Sequence, residues 1–225
     1  MPSWRRDEQR GEDSLTNSVI FEAQTAALRY ELGGDHTYDF VEGVMQLPKA
    51  SAIDKVVTGD LGYFGYYKPN DCNSFHKALD DLELFIQKEG PFDGVIGFSQ
   101  GASLASALLL RNWSSGSGES DAHGTPTANE PPFKCAVFLS GYSPYDYTCI
   151  HVQQMQGSTI SIPTAHIWGV NERGDSGGPP ALKQLCNPQI VFFHEHEGGH
   201  EVPGARNKPD LIESANIIKR MLTRL

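Results

Sequence analysis

Residues 91–110 run as a compact apolar stretch (PFDGVIGF), then Ser99-Gln100-Gly101, then a small-residue and leucine segment from Ala102 to Leu110. A short apolar run bounded by turn residues suits a buried strand, and the segment after it suits a buried helix. Between them lies a G-x-S-x-G pattern, Gly97-Phe98-Ser99-Gln100-Gly101. The pattern alone is weak, but strand, sharp turn and helix is the arrangement that holds a nucleophilic serine on an elbow. In such a turn the backbone crowds itself, so both glycines read as required. Ser99 also opens a helix whose positive dipole end favours developing negative charge, and the Gln100 backbone N–H is placed to donate to an oxyanion. The plain alternative is a glycine-rich helix start with a capping serine; the preceding strand and a histidine motif further along the chain weigh against it.

Elements alternate along the rest of the chain. Residues 1–17 are mostly charged or polar, with Trp4 and Leu15 as the sizeable apolar side chains, and read as a tail. A helix is expected from a capping Ser18 through Val19, Ile20, Ala23, Ala27 and Tyr30 to a stop at Gly33-Gly34. Tyr38 to Val41 reads as a short strand, and Gly59 to Asp71 as an irregular loop. Phe75 to Lys88 repeats Phe75, Leu79, Leu82 and Ile86 at helical spacing, and Gly90-Pro91 stops it. Residues 113–132 are low complexity and read as a surface insertion. Lys134 to Leu139, Thr164 to Trp168 and Gln189 to Phe193 are strand-like runs about 20 to 30 residues apart, a spacing that suits βα units. Pro209 to Leu225 carries Leu211, Ile212, Ala215, Ile218 and Leu222 on a helical stripe. The alternation predicts a three-layer α/β domain over residues 18–225 with a mostly parallel central sheet.

Composition narrows the partners. Eighteen basic against 28 acidic residues leave a net charge of -10, which opposes binding to nucleic acid or an anionic membrane. The longest apolar stretch is half of what a membrane span needs, and the N-terminus lacks an apolar signal segment, so cytoplasmic localisation is expected. Cys72, Cys135, Cys149 and Cys186 show no paired spacing and read as free thiols.

A serine nucleophile needs a base and an orienting acid from loops after later strands, in the order Ser, acid, His. After Thr164 to Trp168 comes Gly169-Val170-Asn171-Glu172, and after Gln189 to Phe193 comes His194-Glu195-His196-Glu197-Gly198-Gly199-His200. His200 is the expected base and Glu172 the first choice of acid, with Asp175 the alternative. His194 and His196, two apart on a strand, share a face that suits a metal, but no acidic ligand cluster supports this; no metal or cofactor is expected. His36, His76, His123, His151 and His166 carry no motif and read as surface or satisfied core residues. A second G-x-S-x-G, Gly174-Asp175-Ser176-Gly177-Gly178-Pro179, spells the active-site segment of trypsin-like proteases. Those are paired β-barrels in which His and Ser lie far apart in sequence, so in this alternating chain the segment reads as a Gly- and Pro-rich loop.

With these motifs in hand, Ile20 to Gly33, YKPNDCNSFHKALDDLE, FDGVIGFSQGASLA, FKCAVFLSGY, HIWGVNE and His196 to Gly204 resemble the fungal serine hydrolase family of the α/β-hydrolases. The resemblance implies a Ser99, Glu172 and His200 triad, with Glu where the family usually has Asp. Within the family the likeness is to LovG-type esterases and thioesterases of fungal polyketide pathways. It therefore implies an acyl or polyketide thioester substrate, delivered on the carrier protein of a polyketide synthase. Tyr63, Phe64, Tyr66 and Tyr67 are candidates for an apolar acyl pocket, against the plainer reading of loop packing. The family normally begins with an apolar strand and an H-G-x-G turn that supplies a second oxyanion donor; here QRGEDSLTNS stands in that place. The resemblance thus implies a sheet without its first family strand. Two accounts of this stay open, a start or splice site that replaced the strand, and a real chain that is weakened or non-catalytic; the alternative functions are a catalytically impaired scaffold that binds an acyl ligand or a partner, and a general carboxylesterase.

Overall fold

A computed structural model describes residues 18–47, 63–69, 71–113, 131–144, 159–172 and 177–225. The expected tail, most of the low-complexity insertion, Asp175, Cys149, His123 and His151 lie outside the described residues.

Four parallel strands form the central sheet in the order β3-β4-β5-β6: β3 (Gly94–Phe98), β4 (Cys135–Leu139), β5 (Thr164–Gly169) and β6 (Val191–His196). β3 and β4 are apolar runs, β5 and β6 mix apolar with polar residues, and parallel pairing requires a crossover between neighbours. Alternation along β4 splits the core in two. Ala136 and Phe138 enter the cluster with Tyr67, Phe75, Leu79 and Leu108, while Cys135, Val137 and Leu139 face Leu28, Ile167, Leu211 and Met221.

Helices cover both faces: α1 (Ser18–Leu32) and α5 (Lys208–Leu222) on one, α2 (Cys72–Glu89), α3 (Gln100–Trp113) and α4 (Gly178–Gln184) on the other. Helix α3 is buried from Ala102 through Leu110, because α2 closes over its outer side. Asp71 caps α2 by accepting from the Asn73 and Ser74 amides at 3.1 and 3.2 Å, a contribution of about 1 kcal/mol.

Several sequence expectations change. Ser18 is the first residue of α1 rather than its cap, and the buried stripe of that helix is Thr25, Leu28 and Leu32, with Phe21 packed beside it. Val19 and Tyr30, assigned to the apolar face, are 65% and 84% exposed. The true stripe runs at intervals of four, three and four, and a polar Thr25 hides it; its hydroxyl is satisfied inside the helix by the Phe21 carbonyl at 2.8 Å. Tyr38 to Val41 is not a strand: the Tyr38 and Phe40 rings stand against the Arg29 guanidinium at 5.4 and 5.2 Å. The strand lies further on, as β1 (Met45–Leu47), antiparallel to β2 (Tyr63–Gly65) inside the segment read as an irregular loop. The Gly-Asp-Ser-Gly-Gly-Pro segment is not all loop, since Gly177 in the left-handed region starts α4 and Pro179 sits in its first turn.

Candidate active site

Ser99 sits between β3 and α3 with φ of +51°, in the left-handed region that a serine rarely occupies. Three backbone hydrogen bonds hold it there: the Ser99 amide donates to the Leu139 carbonyl at 2.9 Å, and its own carbonyl accepts from the Ala102 and Ser103 amides at 3.0 and 3.2 Å. Gly97 is needed because a Cβ there would stand 2.6 Å from the Ala102 Cα. Gly101 is different from what crowding alone predicts, since its Cβ would only touch the Tyr66 ring at 3.4 Å.

The elbow delivers Ser99 Oγ to 2.9 Å from His200 Nε2, and His200 Nδ1 lies 2.8 Å from Glu172 Oε2. A carboxylate only accepts, so Nδ1 carries the proton and Nε2 is left bare to accept from the serine hydroxyl. Glu172 reaches this position from a turn after β5, its amide donating to the Gly169 carbonyl at 3.0 Å. Its other oxygen accepts from Ser140 Oγ at 2.7 Å and from the Gly169 amide at 2.8 Å. Glu172 is buried, so these donors replace the water it has lost. The His200 ring lies between Phe98 and Tyr142, at centroid distances of 5.1 and 5.9 Å.

Ser140 is the residue that the motif reading missed. It follows β4 as Ser99 follows β3, also with positive φ, +47°, and its amide donates to the Ile167 carbonyl at 2.8 Å. The signal was a Ser-Gly pair directly after an apolar strand, in register with the elbow of the neighbouring strand.

Gln100 opens α3, so its backbone N–H has no acceptor within the helix and faces the end where an oxyanion would form. Its buried side chain acts elsewhere, because Oε1 accepts from the Tyr66 amide at 2.7 Å and Nε2 donates to the Tyr67 carbonyl at 2.9 Å. That pins the segment after β2 to the elbow. Of the four aromatic residues proposed for an acyl pocket, Phe64 and Tyr66 line a cavity of about 870 Å³ with Phe21, Phe40, Ile96 and Phe98. Tyr67 instead packs edge-on to Phe75 in the core, centroids 4.8 Å apart, and of Tyr63 only the backbone, in β2, is described. Burial pushes the Tyr66 phenol up to about 12, with Glu42 adding to the shift, and its hydroxyl donates to the Val41 carbonyl at 2.8 Å.

The remaining histidines have other partners. His194 Nε2 donates to Asp210 at 2.9 Å, and His196 Nδ1 accepts from the Gly198 amide at 3.1 Å. Among the described residues no group of three His, Cys, Asp or Glu side chains is placed to hold a metal ion. His36 and His76 are exposed, while His166 is buried beside Thr164 and Cys186 at 3.2 and 3.4 Å. Burial pushes the thiols of Cys135 and Cys186 up, to about 11 and about 12, so both stay protonated and unreactive. Cys72 is an exposed free thiol. No helix among the described residues is long and apolar enough to cross a membrane.

A parallel α/β sheet with a strained serine after one strand, a histidine after another and a buried carboxylate between them defines a serine hydrolase of the α/β-hydrolase class. The family model for serine hydrolase (FSH1) matches residues 14–211, and the chain belongs to that family. Esterase FPY3 of Fusarium mangiferae is 36% identical over 198 residues, covering 84% of each protein. Hydrolase phiM of a fungal species is 29% identical, covering 89% of this chain and 88% of its own. A carboxylesterase from Mesorhizobium loti shares the fold, with a TM-score of 0.54 at 18% identity over 90% of this chain and 82% of that one.

Proposed function

We propose that this serine hydrolase is an esterase or thioesterase in which Ser99 is the nucleophile, His200 the general base and then acid, and Glu172 the orienting carboxylate. The observation that carries the reading is the continuous series Ser99 Oγ, His200 and Glu172, with separations of 2.9 and 2.8 Å. As Ser99 Oγ attacks an acyl carbonyl, its proton passes to His200 Nε2, and the buried Glu172 stabilises the imidazolium. The oxyanion that forms is met by the Gln100 N–H and the α3 dipole. His200 then gives its proton to the leaving alcohol or thiol, and water activated by the same nitrogen releases the acid.

The proposed substrate is an acyl thioester, and the proposed role is release of a polyketide from the carrier protein of a synthase. Support comes from the resemblance to LovG-type enzymes. A cytoplasmic location fits this role. A fluorophosphonate probe should label the protein, and Ser99→Ala should abolish labelling; a mutant still labelled overturns the assignment. Thioesters of long apolar acyl groups should be cleaved faster than acetyl esters, and a preference for acetyl esters would leave a general carboxylesterase. One observation favours a second reading, a weakened enzyme or an acyl-binding scaffold: among the described residues nothing pairs with the outer edge of β3. A folded chain that takes no probe, yet is stabilised by a long-chain thioester, would establish that reading.

A further inference from the structure

His196 is the last residue of β6, 2% exposed, and it lies four residues before His200 without touching Ser99 or Glu172 by hydrogen bond. Its backbone and its ring act separately. The His196 carbonyl accepts from the Val170 amide at 2.9 Å, which ties the end of β6 to the turn that carries Glu172. Its Nδ1 accepts from the Gly198 amide at 3.1 Å, which bends the chain into the Gly198-Gly199 turn that presents His200. The turn is confined on both sides. A Cβ on Gly169 would stand 2.3 Å from the Gly198 carbonyl oxygen, and a Cβ on Gly198 would stand 2.9 Å from His196 Nδ1. The ring is therefore a wall of the turn as well as its acceptor.

An accepting Nδ1 is unprotonated, so the neutral ring carries its proton on Nε2, which is buried and has no hydrogen-bond partner among the described residues. Burial lowers the affinity of the ring for a second proton, against the pull of Glu172, Asp210 and Glu201 and with His194 opposing it.

We propose that His196 is a positioning residue, whose Nδ1 fixes the Gly198 turn and thereby the approach of His200 to Ser99. The proposal rests on the triad reading above. Asparagine can accept from the amide two residues on, as the Asx turn does, whereas leucine fills the space without an acceptor.

The test compares His196→Leu with His196→Asn by thioester kinetics and by the rate of fluorophosphonate labelling. His196→Leu should lower kcat and the labelling rate by tens of fold to about a hundredfold, the effect of misplacing a catalytic group by a fraction of an ångström to an ångström, with KM little changed. His196→Asn should recover most of the loss. A leucine variant with the activity of the natural chain, or an asparagine variant as slow as the leucine one, overturns the proposal and leaves the Ser99 assignment standing. Should the leucine variant not fold, nitrogen NMR of the natural chain decides: the His196 ring should carry its proton on Nε2, and a proton found on Nδ1 overturns the proposal. Labelling that survives Ser99→Ala would instead overturn the triad itself.

Discussion

The two edge strands of the sheet carry Ser99 and His200, and they are built differently. Strand β6, which leads to His200, is finished as an edge: His194 and Glu195 are polar, and Phe193 stacks on Trp168 with the Lys183 amine 3.7 Å from its ring centre. Strand β3, which leads to Ser99, reads Gly-Val-Ile-Gly-Phe and bears no charge, the composition of a strand covered on all sides. Yet its outer edge borders the cavity of about 870 Å³, which Val95, Ile96 and Phe98 line together with Phe21 and Phe92. One edge is closed by its own side chains; the other has interior chemistry in an edge position. The histidine arm of the site is tied to the turn that carries Glu172, and the serine arm to β4 through the Ser99 amide and to the segment after β2 through the Gln100 side chain.

The largest expected effect lies between the two edges. Glu172→Gln keeps the shape but removes the charge that fixes the His200 tautomer, and should lower kcat by about a thousand- to ten-thousandfold. Steady-state kinetics checks it. A loss of less than tenfold would mean that another carboxylate orients His200, Asp175 being the candidate from the sequence.

These positions differ in how openly the sequence displays them. Ser99 was legible because it stands between glycines directly after an apolar run, and His200 because two glycines precede it on the loop that follows another such run. Glu172 was readable as a choice rather than an identity, because a carboxylate in a polar turn looks like any solvated loop residue until burial and the Ser140 donor are known. Ser140 was not legible as a partner, since its contact spans 32 positions in the chain. The α1 stripe was missed for a local reason: a buried threonine interrupts it, and exposed Val19 and Tyr30 imitate its spacing. Strands β1 and β2 are three residues each and depend on one another, so neither run shows a period by itself.

The edge of β3 with which no described residue pairs gives the next effect. Replacing residues 8–17 with a five-residue apolar strand that ends in a Gly-rich turn before Ser18 should pair β3 and offer a second N–H to the oxyanion. The expected gain is about a hundredfold in labelling rate, with slower hydrogen exchange of the Val95 and Gly97 amides. Exchange that slows with no gain in rate would show that the edge matters for stability and not for turnover. Unchanged exchange would show that β3 needs no neighbour.

Strand β5, paired on both sides, offers a control on stability. Burial, with Lys183 nearby, pushes the His166 imidazole down to about 3, so it stays neutral in the folded chain while the unfolded chain takes up a proton below about 6.5. The unfolded state then binds more protons, and stability falls as pH drops from about 6.5 towards 3. At pH 5 the loss from this group is about 2 kcal/mol relative to pH 7. Urea unfolding at the two pH values should show it, and His166→Gln should flatten that limb; an identical slope in the variant would assign the acid sensitivity elsewhere.

The smallest effect isolates the link between the edges. Ser140→Ala removes the hydroxyl that donates to Glu172 Oε1 at 2.7 Å but leaves the Gly169 amide on the same oxygen. A hydrogen bond to a charged group is worth about 1.5 to 3 kcal/mol, and with one donor retained the low end applies, about a tenfold loss in kcat/KM. Ser106→Ala is the matched control, because the Ser106 hydroxyl only satisfies the Ser103 carbonyl within α3 at 2.9 Å. If the two variants lose the same amount, Ser140 acts through packing alone. If Ser140→Ala alone is slow, the second left-handed serine of the sheet is what keeps the acid aligned on His200.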